Sequence, residues 1–73
     1  MTKQPIVRFL KKNGFRRMDK NSYANDLCNV VITKEGYEVA DNDGAVIYNS
    51  NHSIYWLIGL LTYYKYIDKN YRQ

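Results

Sequence analysis

A chain of 73 residues has room for one domain and not for two. Its 45% hydrophobic and 15% aromatic residues exclude a disordered chain, and its one cysteine, Cys28, excludes an internal disulfide. The formal charge is +4 but it is segregated: residues 1–20 hold Lys3, Arg8, Lys11, Lys12, Arg16, Arg17 and Lys20 against Asp19, whereas residues 21–50 hold Asp26, Glu35, Glu38, Asp41 and Asp43 against Lys34.

Pro5 suits a first helical turn, where its missing N–H is not needed. Ile6, Val7, Phe9 and Leu10 form an apolar stripe and Arg8, Lys11 and Lys12 a basic one. Asn13-Gly14 is a stop signal, with Gly14 as the left-handed residue past the cap. The spacing therefore predicts a helix over 4–13, short enough that it must dock to persist.

A short strand is predicted from Phe15 to Met18, then a turn at Asp19-Lys20-Asn21-Ser22. Tyr23 to Asp26 is ambiguous and reads as a strand continuation or a bulge. Leu27 to Thr33 is the clearest strand, rich in Val and Ile, with Cys28, Val30 and Ile32 on one face. Lys34-Glu35-Gly36 signals a tight hairpin with Gly36 at positive φ. Tyr37 to Ala40 follows, with Tyr37 and Val39 inward and Glu38 outward. Asp41-Asn42-Asp43-Gly44 is a second hairpin turn, and Ala45 to Asn49 the last strand.

From Ser53 to Tyr71 the spacing predicts one long C-terminal helix capped by Asn51 or Ser53. Ile54, Leu57, Ile58, Leu61 and Tyr64 share its apolar face, which Trp56, Leu60 and Ile67 widen. Lys65, Lys69 and Arg72 lie where positive charge suits the helix dipole. The apolar run from Ile54 to Leu61 is far shorter than the ~18 residues of a membrane span, so this is a core helix and no membrane role is expected. Its other face carries Tyr55, Gly59, Thr62 and Tyr66 in line, with Tyr63 beside them. A glycine inside a helix costs ~1 kcal/mol against alanine, and a close approach by another backbone would offset that.

The order α-β-β-β-β-α with short connections implies a small two-layer α+β domain. Its sheet is expected to be an antiparallel meander with both helices on one face. The start, MTKQPIVRFLKK, lacks the apolar run of a secretory signal. A cytoplasmic protein with reduced Cys28 is expected, so the Asn51-His52-Ser53 sequon carries no weight. The bias to Asn, Lys, Tyr and Ile, all with AT-rich codons, fits a low-GC bacterium or its mobile elements.

Chemistry is sparse. The calcium-loop pattern would need an acidic residue where Val39 stands and a Glu where Ser50 stands, so Asp41 to Gly44 is a turn. Cys28 and His52 are the one nucleophile–base pair, in a strand and a turn, with no third group at hand to orient them. No metal-ligand spacing, phosphate loop or cofactor motif is present. The chain is expected to be non-enzymatic, with no metal and no cofactor. Two surfaces remain. The outer helix face, with Tyr55, Gly59, Thr62, Tyr63 and Tyr66, fits association with a protein partner or a second copy. The alternative is a nucleic-acid-binding accessory protein using Arg8, Lys11, Lys12, Arg16 and Arg17, with Lys65 and Lys69, because cations beside aromatic rings suit phosphates and unpaired bases.

Overall fold

A computed structural model describes residues 3–68, 70 and 71. The elements are α1 (Lys3–Lys12), β1 (Arg16–Asp19), β2 (Ser22–Ala24), β3 (Cys28–Ile32), β4 (Tyr37–Asp41), β5 (Val46–Asn49) and α2 (Ile54–Tyr63). The strands form one antiparallel sheet in the order β1-β2-β3-β4-β5. The α+β meander expected from the sequence is what forms, with one strand more. The ambiguous stretch supplies β2, pairing Tyr23 with Val30 on one side and Arg17 on the other.

Strand alternation decides what the core contains. Tyr23, Cys28, Val30, Ile32, Tyr37 and Val39 point to one sheet face and are buried there. Ile6, Phe9 and Leu10 of α1 and Leu57, Ile58, Leu60 and Leu61 of α2 cover them in a single cluster, with Phe15 closing one end. Both helices therefore lie on the same face. The opposite face carries Ser22, Ala24, Asn29, Val31, Glu38, Ala40, Val46 and Tyr48, polar and apolar side chains mixed. Every side-chain polar atom buried among the described residues has a hydrogen-bond partner. The Tyr37 hydroxyl, fully buried, donates to the Ser53 carbonyl at 2.6 Å.

Both helices end in the same hydrogen-bond pattern. At α1, Phe15 N–H reaches the Leu10 carbonyl at 3.0 Å and Gly14 N–H the Lys11 carbonyl at 3.5 Å. At α2, Tyr66 N–H reaches the Leu61 carbonyl at 2.8 Å and Lys65 N–H the Thr62 carbonyl at 3.1 Å. These are Schellman ends, which need a left-handed residue at the position after the cap. Gly14 supplies it at φ 87°, and Lys65 at φ 61°. The predicted helix from Ser53 to Tyr71 is thus corrected: it stops at Tyr63. Its stop residue is a lysine, which carries no stop signal in sequence. Tyr66 and Ile67 leave the helix and pack on the core from the following segment. Tyr64, expected on the apolar face, is about half exposed.

Gly36 is a second correction. Positive φ falls at Gly14, Gly44 and Lys65 and not at Gly36. What requires glycine there is the neighbouring strand: a Cβ would strike the Asn49 carbonyl oxygen, with the Asn49 carbonyl carbon at 2.8 Å and the Asn51 nitrogen at 2.9 Å. The other turn forms as expected. Gly44 sits at φ 87°, and the Asp41 carboxylate accepts from the N–H groups of Asp43 and Ala45, each at 2.9 Å.

Candidate functional site

Ser53 starts α2, its hydroxyl accepting from Trp56 N–H at 3.3 Å, and Asn51 Oδ1 in turn accepts from Ser53 N–H at 2.9 Å. With this start and Leu57, Ile58 and Leu61 buried, the rotation of the helix is set. Two rows of i, i+4 spacing flank that buried line. Tyr55, Gly59 and Tyr63 form the outer row, facing away from the core. Trp56, Leu60 and Tyr64 form a second row on the flank toward β5, its middle member Leu60 buried and its two ends part-exposed. Tyr55 is 82% exposed and Tyr63 78%. Gly59 lies one turn from each, and a Cβ there would meet nothing within 4 Å. The result is a notch between two rings. Ile47 of β5 joins Trp56, Leu60 and Tyr64 along a shallow groove beside it.

The rings on this surface are ordered by one another. Tyr63 meets Tyr64 edge-on with centroids 5.0 Å apart, and Tyr64 stacks on Tyr66 at 5.7 Å with planes 16° apart. Trp56 leans on the buried ring of Tyr37 at 5.8 Å. Thr62 turns its hydroxyl back onto its own helix, donating to the carbonyls of Ile58 at 2.9 Å and Gly59 at 3.1 Å.

Of the five residues expected to form the outer face, Tyr55, Gly59, Thr62 and Tyr63 are on the helix. Tyr66 is not. Its hydroxyl donates to Asp41 Oδ2 at 3.1 Å, and its carbonyl accepts from Asn25 Nδ2 at 2.9 Å. Burial first, then the hydrogen bond to Asp41 and the charge of its carboxylate, raise the Tyr66 pKa. Trp56, Tyr64 and Ile47 line the groove with the buried Leu60; the sequence placed Trp56, Leu60 and Tyr64 on the apolar core face and gave Ile47 no role at a surface. The i, i+4 repeat 56-60-64 was visible, but its register against β5 was not.

The basic residues divide. Arg8 and Lys12, one turn apart on α1, line a cleft with Pro5, Ile54, Tyr55 and Ile58. Lys11 is exposed nearby on the same helix, and Arg16 on β1. The Arg17 guanidinium is engaged locally, donating to the carbonyls of Asp19 at 3.2 Å and Lys20 at 3.3 Å. Lys65 follows the far end of α2, about 15 Å along the axis from Tyr55 at ~1.5 Å per residue, and does not join the cleft. Lys69 lies outside the described residues.

Cys28 and His52 sit toward opposite ends of β3. The His52 ring nitrogen Nε2 donates to the Thr33 carbonyl at 2.9 Å, and Thr33 lies roughly 16 Å along the strand from Cys28 at ~3.3 Å per residue. Burial, with a smaller push from the Asp41 charge, raises the Cys28 thiol to about 12, which keeps it protonated and unreactive. Asp41 moves the other way: the Ala45 N–H chiefly, then Tyr66, Asp43 and Gly44, hold its carboxyl below the ordinary range. No group of three or more His, Cys, Asp or Glu among the described residues is placed to hold a metal. No helix among them is long and apolar enough to cross a membrane. Comparison with protein-family models, with curated proteins and with solved structures found no match.

Proposed function

We propose that this chain is a small, non-enzymatic, cytoplasmic interaction module that docks on protein through the outer face of α2. The observation that carries this is the pair of rings at Tyr55 and Tyr63, four-fifths exposed on either side of the open notch at Gly59. Large exposed rings cost solubility in a chain that uses them for nothing. Tyrosine is favoured at interfaces because it brings a large ring with few rotatable bonds and a hydroxyl that finds a partner. A backbone or small side chain entering the notch would be gripped by both rings.

Oxidative footprinting tests this. Tyr55, Trp56 and Tyr63 are compared in dilute pure protein, in concentrated pure protein and in an extract of the source cells. Protection gained in either of the last two, and lost in a Tyr55→Lys/Tyr63→Lys variant, is the expected result. Equal reactivity in all three conditions refutes the proposal.

The alternative function, a nucleic-acid-binding accessory protein, has one observation in its favour: Arg8 and Lys12 share a cleft with the exposed Tyr55 ring. A phosphate on the cations would set a base within reach of the ring. Affinity for single strands that falls steeply with salt, and that Arg8→Glu abolishes, would establish it. Absence of binding at ~50 mM salt and micromolar protein would exclude it.

A further inference from the structure

The sheet has two edges, and they are built differently. At β1, Arg16, Arg17 and Asp19 are charged and exposed, and the register slips between Arg17 and Asp19. Charge and irregularity are the devices by which an edge strand repels another strand. β5 has neither. Its sequence, Val46-Ile47-Tyr48-Asn49, contains no charge and no proline, and its pairing with β4 runs without a slip from Ala40↔Val46 to Tyr37↔Asn49.

The phase of that ladder decides which backbone groups are left over. Asp41 N–H donates to the Ala45 carbonyl at 3.0 Å. Antiparallel bonding alternates by two, so Ile47 and Asn49 also turn their backbone groups toward β4. Val46 and Tyr48 turn theirs to the open edge. Their side chains, more than half exposed, lie on the outer sheet face, while Ile47 lies on the helix side in the groove beside Trp56, Leu60 and Tyr64. The edge is thus apolar on both flanks and unpaired along its backbone.

We propose that β5 is the interface for a second copy of this chain, paired antiparallel across a two-fold axis at Ile47. The proposal rests on the reading that the aromatic surface of α2 binds protein, and it names the occupant. In this register Val46 faces Tyr48 of the second copy, and Tyr48 faces its Val46. Each such pair exchanges two N–H···O bonds, and Ile47 meets its own equivalent. The two sheets become one of ten strands, with all four helices on one face and the Trp56-Leu60-Tyr64 rows opposed across the axis.

Two features favour a second copy as occupant. The same short register satisfies both edges at once, as an isologous contact requires. The strip from Val46 to Asn49 and the rings around it carry no formal charge, in a chain of net +4; two copies meet there without opposing like charges, whereas an acidic partner would be drawn to the basic residues elsewhere. The area is at the low end of what a specific contact needs. Tyr48, Tyr55, Trp56, Tyr63 and Tyr64 together leave at most on the order of 600 Å² exposed at ~200 Å² per ring, against ~600–1,000 Å² per partner in specific interfaces.

The experiment is sedimentation equilibrium of the full chain and of Val46→Pro, with amide exchange of the unmutated chain at high and low concentration. Proline at an outward-facing edge position removes the bonding N–H without touching the ladder to β4. The expected result is a dimer that Val46→Pro weakens at least tenfold. The amides of Val46 and Tyr48 should be protected only at high concentration, and that of Ile47 at both. If Val46→Pro does not fold, the exchange pattern decides alone. A dimer whose Val46 and Tyr48 amides stay unprotected, and which Tyr55→Lys/Tyr63→Lys disrupts, overturns the edge pairing and leaves the helix-face function standing. A monomer at every concentration overturns the second copy, and footprinting in extract then decides separately whether the face binds another protein.

Discussion

The Tyr66 hydroxyl donates to the Asp41 carboxylate at 3.1 Å, joining the segment that follows α2 to the turn between β4 and β5. The bond depends on the helix ending at Tyr63. A helix continued to Tyr71 would carry Tyr66 around its own axis and leave Asp41 with backbone donors alone. Asp41 is ionised in this arrangement. Its folded pKa is depressed, first by the Ala45 N–H and further by Tyr66. The carboxylate therefore adds stability above about pH 4, the unfolded value, and that contribution is lost as pH falls through the lower folded value. Denaturation followed from pH 7 to pH 2 should show this acid limb flattened in Asp41→Asn. Tyr66→Phe should flatten it less, because the backbone donors remain.

Lys65 occupies the left-handed position that ends α2, at φ 61°. An L-residue pays ~1–2 kcal/mol there, partly returned as lower unfolded-chain entropy than glycine would have. Lys65→Gly is therefore expected to stabilise the fold by about 0.5–1 kcal/mol. Thermal unfolding should shift upward by a few degrees, at ~4–8 °C per kcal/mol for a domain of this size.

Gly36 and Gly59 should respond to alanine in opposite directions. At Gly36 the new methyl would strike the backbone at Asn49 and Asn51, and a loss of roughly 1–3 kcal/mol is expected. At Gly59 the methyl meets open space, and the gain in helix propensity is ~1 kcal/mol. Urea titration of both variants measures the difference. Gly59→Ala should at the same time weaken association, since it fills the notch between Tyr55 and Tyr63.

Cys28 should be a reporter of unfolding and nothing else. It is buried in β3 and its thiol is raised to about 12. Labelling by a thiol reagent at pH 8 should be about 10²-fold or more slower in the folded chain than in urea, as ~3 kcal/mol of stability dictates. Rapid labelling of the folded protein would contradict the burial.

Much of this was legible in the residues themselves. Gly14 marks a left-handed helix end because few other residues adopt that conformation at no cost, and Asp41 to Gly44 reads as a hairpin turn from its composition. Ser53 caps α2 through a hydroxyl three residues from its N–H donor. The inward faces of β3 and β4 follow from alternation, as does the buried face of α1 from its helical period. Each of these depends on a few neighbouring residues, and local chemistry was enough.

What the tertiary structure decided has a different origin. Lys65 ends α2, and the segment after it packs Tyr66 on the core and sets its hydroxyl on Asp41, contacts made between residues 25 positions apart. No lysine announces that locally. Gly36 is required by the backbone of β5, thirteen residues further on at Asn49. Tyr66 left the helix face expected of it, and Ile47, Trp56 and Tyr64 came to line the groove. β5 became a bare edge because the meander runs in order from β1 to β5, which leaves the Val46 and Tyr48 backbone groups unpaired. A residue pattern can set the period and face of a strand. Which of its hydrogen bonds remain open is settled only when every other strand has taken its place.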